Sequence, residues 1–170
     1  INVSIVLKNL GHDSIALGFL AGFTGQEIIR QLEGFGCQSD FVELPEGFSR
    51  INVKVKAETE TEINGQGPSI TPEAQAELFA KLDKLQTGDT LVLAGSIPNT
   101  LPDDIYQRIM SRLEGRNINI VVDATKQLLL KVLPYKPFLI KPNNHELGEM
   151  FGVVLKTKDE IITHAKKLQE

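Results

Sequence analysis

Three short runs in the second half of this chain are apolar almost without interruption: residues 90–94, 118–122 and 137–140. A strand with one wet face alternates polar and apolar side chains, whereas a strand covered on both faces does not. Each run is separated from the next by a stretch with helical spacing, over residues 102–113 and near 127–132. Buried strands alternating with helices select an α/β architecture with a mainly parallel sheet and right-handed crossovers. With 170 residues, 41% of them hydrophobic, the chain is long enough for one core and is read as one domain over 1–170.

The first half follows the same rhythm with one departure. Val3, Val6, Leu7 and Leu10 fall at helical spacing and predict a first helix, which Gly11 stops. Residues 14–20 read as a buried strand, 22–25 as a turn, and Thr24 or Gly25 as the cap of a helix running through residue 33. Ile28, Ile29 and Leu32 face inward on that helix, and residues 40–44 form a short strand. A helix over 72–85 has Thr71 as its cap, Pro72 in its first turn and Leu78, Phe79, Leu82 and Leu85 inward. Further helices are predicted from Asn143 to residue 151 and over 158–169. The departure is residues 50–56, which alternate strictly: Arg50, Asn52, Lys54 and Lys56 on one face, Ile51, Val53 and Val55 on the other. With a return strand over 59–64 they predict a β-hairpin lid at 48–64, lying outside the main sheet.

Composition excludes several classes. The net charge is −4 and no basic stripe is present, which argues against a nucleic-acid partner. No apolar run approaches the length that spans a bilayer, so no membrane role is expected. The one cysteine, Cys37, permits no internal disulfide, fits a reducing cytoplasm and reads as a small packing residue. The chain starts and stops on helical patterns, so the sheet is expected to be incomplete at both ends.

In open α/β sheets ligands bind beyond the carboxyl ends of the strands. Those ends carry Gly95-Ser-Ile-Pro98, Asp123-Ala-Thr125 and Lys141-Pro-Asn-Asn-His-Glu146. The last gathers a cation, an amide and a carboxylate at one helix start, a setting that attracts phosphate and could hold Mg²⁺ through water. Asn followed three residues later by Glu is equally a capping box that needs no ligand. On the lid, Arg50, Asn52 and Lys54 share a face that could grip one anion. The same face could instead pair across the hairpin with Glu58, Glu60 or Glu62, depending on register. Ser96 could bond a sugar hydroxyl or shape the turn before Pro98, and Asp123 reads as a helix cap. His12, Asn144 and His145 read as surface residues.

Taken in order, these segments resemble the ribokinase-like (phosphofructokinase B) family of carbohydrate kinases, in its fructose-1-phosphate kinase branch. The resemblance is carried by Ile1-Asn-Val-Ser-Ile-Val-Leu-Lys-Asn-Leu-Gly11, Gly18-Phe-Leu-Ala-Gly-Phe-Thr-Gly25, Ser49-Arg-Ile-Asn-Val-Lys-Val-Lys56, Thr61-Glu-Ile-Asn-Gly-Gln-Gly-Pro68, Ala94-Gly-Ser-Ile-Pro98, Val121-Val-Asp-Ala-Thr125 and Ile140-Lys-Pro-Asn-Asn-His-Glu-Leu147. It implies an ATP- and Mg²⁺-dependent sugar-phosphate kinase acting on fructose 1-phosphate. Asn2, Arg50, Lys54 and Ser96 would then contact the sugar phosphate. Lys141, Asn143 and Glu146 would serve the ATP phosphates, with Glu146 on Mg²⁺ through water. The family's catalytic aspartate is expected downstream of residue 170, so the 170-residue chain alone is expected to be inactive. Ile5 stands where this branch often has arginine, and Ala21 where it often has glycine. Two rivals stay open: a tagatose-6-phosphate kinase, or another hexose-phosphate kinase, within the family, and a non-catalytic α/β binding domain. Ile51, Val53 and Val55 suit a homodimer formed lid to lid.

Overall fold

The computed structural model describes residues 1–57, 60–95, 97, 98, 100–124 and 126–169, with the backbone alone at 60, 126 and 127. The chain divides into two compact units, Ile1–Asp83 with Pro98–Thr100, and Lys84–Ile97 with Leu101–Glu170.

The first unit opens with α1 (Asn2–Asn9). The helix is where the spacing predicts it. Val3, Val6 and Leu10 are exposed, while Ser4 is buried and Ile5 packs on the cluster of Ala16, Leu32 and Cys37. The face that docks carries a small serine and one isoleucine. The strand expected over 14–20 is two short pieces, β1 (Ile15–Ala16) and β2 (Phe19–Ala21), interrupted at Leu17 and Gly18. Next come α2 (Gly22–Gly34), β3 (Gln38–Ser39) and β4 (Val42–Leu44). β1 pairs with β3 and β2 with β4, both parallel and in one continuing register. Backbone bonds from Asp40 to Ala16 (2.9 Å) and from Val42 to Gly18 (2.9 Å) carry the ladder across the interruption.

The turn expected at 22–25 is in fact the first turn of α2, whose N-cap is Ala21 rather than Thr24 or Gly25. Gly22 makes the entry possible. It holds φ +59°, and a Cβ there would stand 2.3 Å from the Phe48 ring and 2.6 Å from the Gly47 carbonyl oxygen. The hairpin expected at 48–64 is the antiparallel pair β5 (Asn52–Lys56) and β6 (Glu60–Asn64), with Lys54 opposite Glu62 and Val53 opposite Ile63. The strand start expected at Thr59 lies outside the described residues. α3 (Pro72–Leu82) begins as expected, with the Thr71 hydroxyl accepting from the Ala74 amide at 3.2 Å. It buries Ala74, Leu78, Phe79 and Leu82, and Leu85 falls beyond its end.

The second unit contains β7 (Thr90–Ala94), α4 (Ile105–Leu113), β8 (Asn119–Asp123) and α5 (Lys126–Val132). A 3-10 turn (Leu133–Tyr135), β9 (Leu139–Ile140), α6 (Asn144–Met150) and α7 (Lys158–Lys167) follow. β7, β8 and β9 form one parallel sheet in that order, as the apolar runs predicted. α4 buries Ile105, Ile109, Met110 and Leu113, and it starts three residues later than expected. Val122, Leu129 and Val132 are fully enclosed, so β8 and α5 carry the centre of this core. Among the described residues no helix is long and apolar enough to cross a membrane.

Candidate active site

Because β7, β8 and β9 are parallel and in register, their carboxyl ends come together. Ala94 lies opposite Asp123, and Val122 opposite Ile140. The Gly95 amide donates to the Asp123 carbonyl at 3.3 Å and the Lys141 amide to the Val122 carbonyl at 3.2 Å, which extends the ladder past the strand ends. The side chains just beyond meet: Lys141 Nζ stands 3.1 Å from Asp123 Oδ1. Asp123, expected to cap the next helix, thus has its carboxylate on Lys141. The lysine side chain keeps 67% of its surface exposed, so this pair contributes under about 1 kcal/mol and can yield to a stronger anion.

Asn143 and Glu146 form the capping box that the spacing allowed. Asn143 Oδ1 accepts from the Glu146 amide at 2.9 Å, and Glu146 Oε2 accepts from the Asn143 amide at 2.8 Å. The box begins two residues after Lys141 and uses one oxygen of the Glu146 carboxylate. Among the described residues no group of three or more His, Cys, Asp or Glu could hold a metal. Glu146 therefore fits a divalent cation only as a partial, water-mediated ligand, with other oxygens coming from a bound phosphate chain.

Sequence reasoning missed one residue of this cluster. Tyr106, in the first turn of α4, donates its hydroxyl to the Gly95 carbonyl at 3.2 Å. Its pKa is pushed above the ordinary tyrosine value, by burial first and then by the negative charge of Asp123. An aromatic in an amphipathic helix reads as core; the signal was its place in the first helical turn after a strand end. Ser96, the expected sugar contact in this segment, lies outside the described residues.

The first unit holds the remaining candidates. Arg50 precedes β5 rather than belonging to it, so the face shared along the strand consists of Asn52, Lys54 and Lys56. Arg50 is exposed and makes no ion pair among the described residues. Lys54 is committed: its Nζ lies 2.5 Å from Glu62 Oε1, directly across the hairpin. That hydrogen bond, and then the charge of Lys54, hold the Glu62 carboxyl below its usual range. The pairing alternative is what the register selects for Lys54. Asn2 is the exposed first residue of α1. Immediately before Arg50, Ser49 is one of two buried polar residues among those described and is bonded to the end of β2.

The sequence and the fold are similar to those of known proteins. The 1-phosphofructokinase of Bacillus subtilis (strain 168) is 46% identical over 170 residues, covering all of this chain and 56% of that protein. The D-tagatose-1-phosphate kinase of Bacillus licheniformis is 37% identical over 167 residues, covering 98% of this chain and 55% of that protein. The crystal structure of phosphofructokinase-2 from Escherichia coli in complex with substrates and products superposes with a TM-score of 0.88 at 22% identity, covering 99% of this chain and 56% of the other, a likeness of fold. The chain spans about half the length of the curated relatives it matches. A family model described as pfkB family carbohydrate kinase matches residues 1–170. A parallel α/β fold, an inserted β-hairpin and an unbroken match from end to end agree: the chain belongs to the pfkB family of carbohydrate kinases.

Proposed function

We propose that the whole protein containing this chain transfers the γ-phosphoryl group of ATP to fructose 1-phosphate, giving fructose 1,6-bisphosphate. The observation that carries this reading is 46% identity to a 1-phosphofructokinase along all 170 residues. Two features of the molecule support it. Lys141 and the box of Asn143 and Glu146 stand beyond the ends of parallel strands, where α/β sheets take ligands. Arg50, with no ion pair among the described residues, is available to a sugar phosphate and can grip it with two parallel hydrogen bonds.

In this reading Arg50 holds the phosphate of the sugar, and Asn2 and Ser96 hold its hydroxyls. Lys54 assists once Glu62 is exchanged for the ligand. Lys141 leaves Asp123 for the phosphoryl group in transit, where a fixed cation counters developing charge. Asn143 and Glu146 steady the ATP phosphates, and Mg²⁺, held by Glu146 through water, would neutralise charge on the nucleotide. The aspartate that takes the proton from the sugar hydroxyl lies outside residues 1–170, so this stretch alone forms no ADP. Ile51, Val53, Val55 and Ile63 expose an apolar strip on the lid, suited to a homodimer joined lid to lid. The proposed setting is the cytoplasm, in keeping with a single cysteine, Cys37, buried unpaired.

A second reading within the family is phosphorylation of a tagatose phosphate, favoured by the D-tagatose-1-phosphate kinase at 37% identity. ADP release by the purified whole protein, compared across fructose 1-phosphate, tagatose 1-phosphate and tagatose 6-phosphate, separates the two. A clear preference for either tagatose ester would displace the first reading.

A further inference from the structure

The residue that leads into the hairpin, Ser49, is buried. Ser49, 7% exposed, uses its backbone and its side chain together. Its amide donates to the Ala21 carbonyl at 2.9 Å, and its hydroxyl oxygen accepts from the Ala21 amide at 3.0 Å. Its carbonyl accepts from the Thr24 hydroxyl at 2.8 Å. Ala21 is both the last residue of β2 and the N-cap of α2. Ser49 is therefore tied at three points to the junction where a parallel strand ends and a helix begins. The fit is close. A Cβ on Gly25 would stand 3.2 Å from the Ser49 hydroxyl oxygen and 3.0 Å from Leu20 Cβ. Outside the latch, the Phe23 and Phe48 rings pack with centroids 5.4 Å apart.

The next residue is Arg50, and from Asn52 onward every residue of β5 is exposed. The Arg50 backbone follows directly on the residue bonded at three points, so its position is set by that neighbour. From this geometry we infer that Ser49 and Thr24 are positioning residues for the sugar phosphate: they hold Arg50 at the carboxyl end of β2 and leave the strands beyond it free to move. The inference rests on the role proposed above for Arg50. A long, flexible cation is useful for binding only when its backbone is held, because otherwise the ligand must order the root of the lid as well as the side chain.

The test uses the whole protein and Thr24→Val, which keeps the shape of the side chain and removes only the hydroxyl. The KM for the sugar phosphate should rise about fivefold to tenfold, the size of one lost buried hydrogen bond. The KM for ATP and kcat should stay within twofold of wild type. Thr24→Ser should restore the wild-type value, and Ser49→Ala should act in the same direction as Thr24→Val. A double-mutant cycle supplies the reading that a merely structural role would not move: in an Arg50→Ala background, Thr24→Val should have no further effect on that KM. If the two changes instead multiply, or if Thr24→Val raises both KM values alike, the latch does not act through Arg50 and the inference falls. A wild-type protein that phosphorylates no hexose phosphate overturns the functional reading and the latch with it. An active wild type with independent variants overturns the latch alone.

Discussion

The hairpin of β5 and β6 and the three-stranded sheet are both made of short strands rich in branched apolar residues, yet the middle strand of the sheet is buried and the hairpin is exposed. Val122 of β8 is fully enclosed, whereas Val53 and Val55 of β5 are 46% and 45% exposed. In the sheet Leu93, Ile120 and Val122 are buried, and Leu139 at its β9 edge is 48% exposed, so the core lies under β7 and β8. The hairpin pairs its two strands and leaves Val53, Val55 and Ile63 exposed, and a two-stranded ribbon of this kind is marginal alone. The cations differ in parallel. Lys141, at the sheet, rests on Asp123 before any ligand arrives. Arg50, at the hairpin, has no ion pair among the described residues.

Matched substitutions can break or sharpen this contrast, and all are placed in the whole protein. The largest effect is expected from Leu129→Ala, which empties a fully enclosed position under the sheet. It should cost about 2–5 kcal/mol in denaturant unfolding, whereas Val53→Ala should change stability by no more than about 0.5 kcal/mol. A large loss from Val53→Ala that depends on protein concentration would point to a lid buried in a second copy. Arg50→Ala should leave folding intact and lower kcat/KM for the sugar phosphate by roughly 30- to 100-fold, the range of a lost charged hydrogen bond. An unchanged value would remove the lid from substrate binding.

Tyr106→Phe comes next, at about 1 kcal/mol for the bond to Gly95. It carries a pH signature as well. The folded-state pKa of Tyr106 is raised, so its contribution to stability is complete below the ordinary tyrosine value and is lost as pH rises through its own higher one. Absorbance titration should show one tyrosine ionising late in the wild type and missing in the variant; identical curves would contradict the burial of this ring. The smallest effect belongs to Lys54→Ala. An exposed cross-strand pair with Glu62 should contribute at most about 1 kcal/mol and less as salt is added.

The sheet was readable in the sequence because β7 and β8 are nearly continuous apolar runs, which leave little choice. Thr71 and Asn143 were readable as caps because their chemistry is local. Ligand and capping readings of Asn143 and Glu146 could not be separated, since both need the same residues at the same spacing. What stayed hidden depended on tertiary neighbours. The docked face of α1 is set by Ser4 and Ile5 rather than by the apolar count. α2 begins at Gly22 because Phe48, far along the chain, fills the space a side chain would need. Ser49 was passed over for the same reason, since nothing local in its sequence announces that Ala21 and Thr24 bond to it.

Initial rates of ATP-dependent phosphorylation of fructose 1-phosphate by the purified whole protein, alongside Arg50→Ala and Lys141→Ala, address the functional assignment and both regions at once. Robust turnover is expected for the wild type, with Arg50→Ala acting on the KM for the sugar and Lys141→Ala acting on kcat. A wild-type protein that consumes no ATP with any hexose phosphate, or variants indistinguishable from it, would contradict this account.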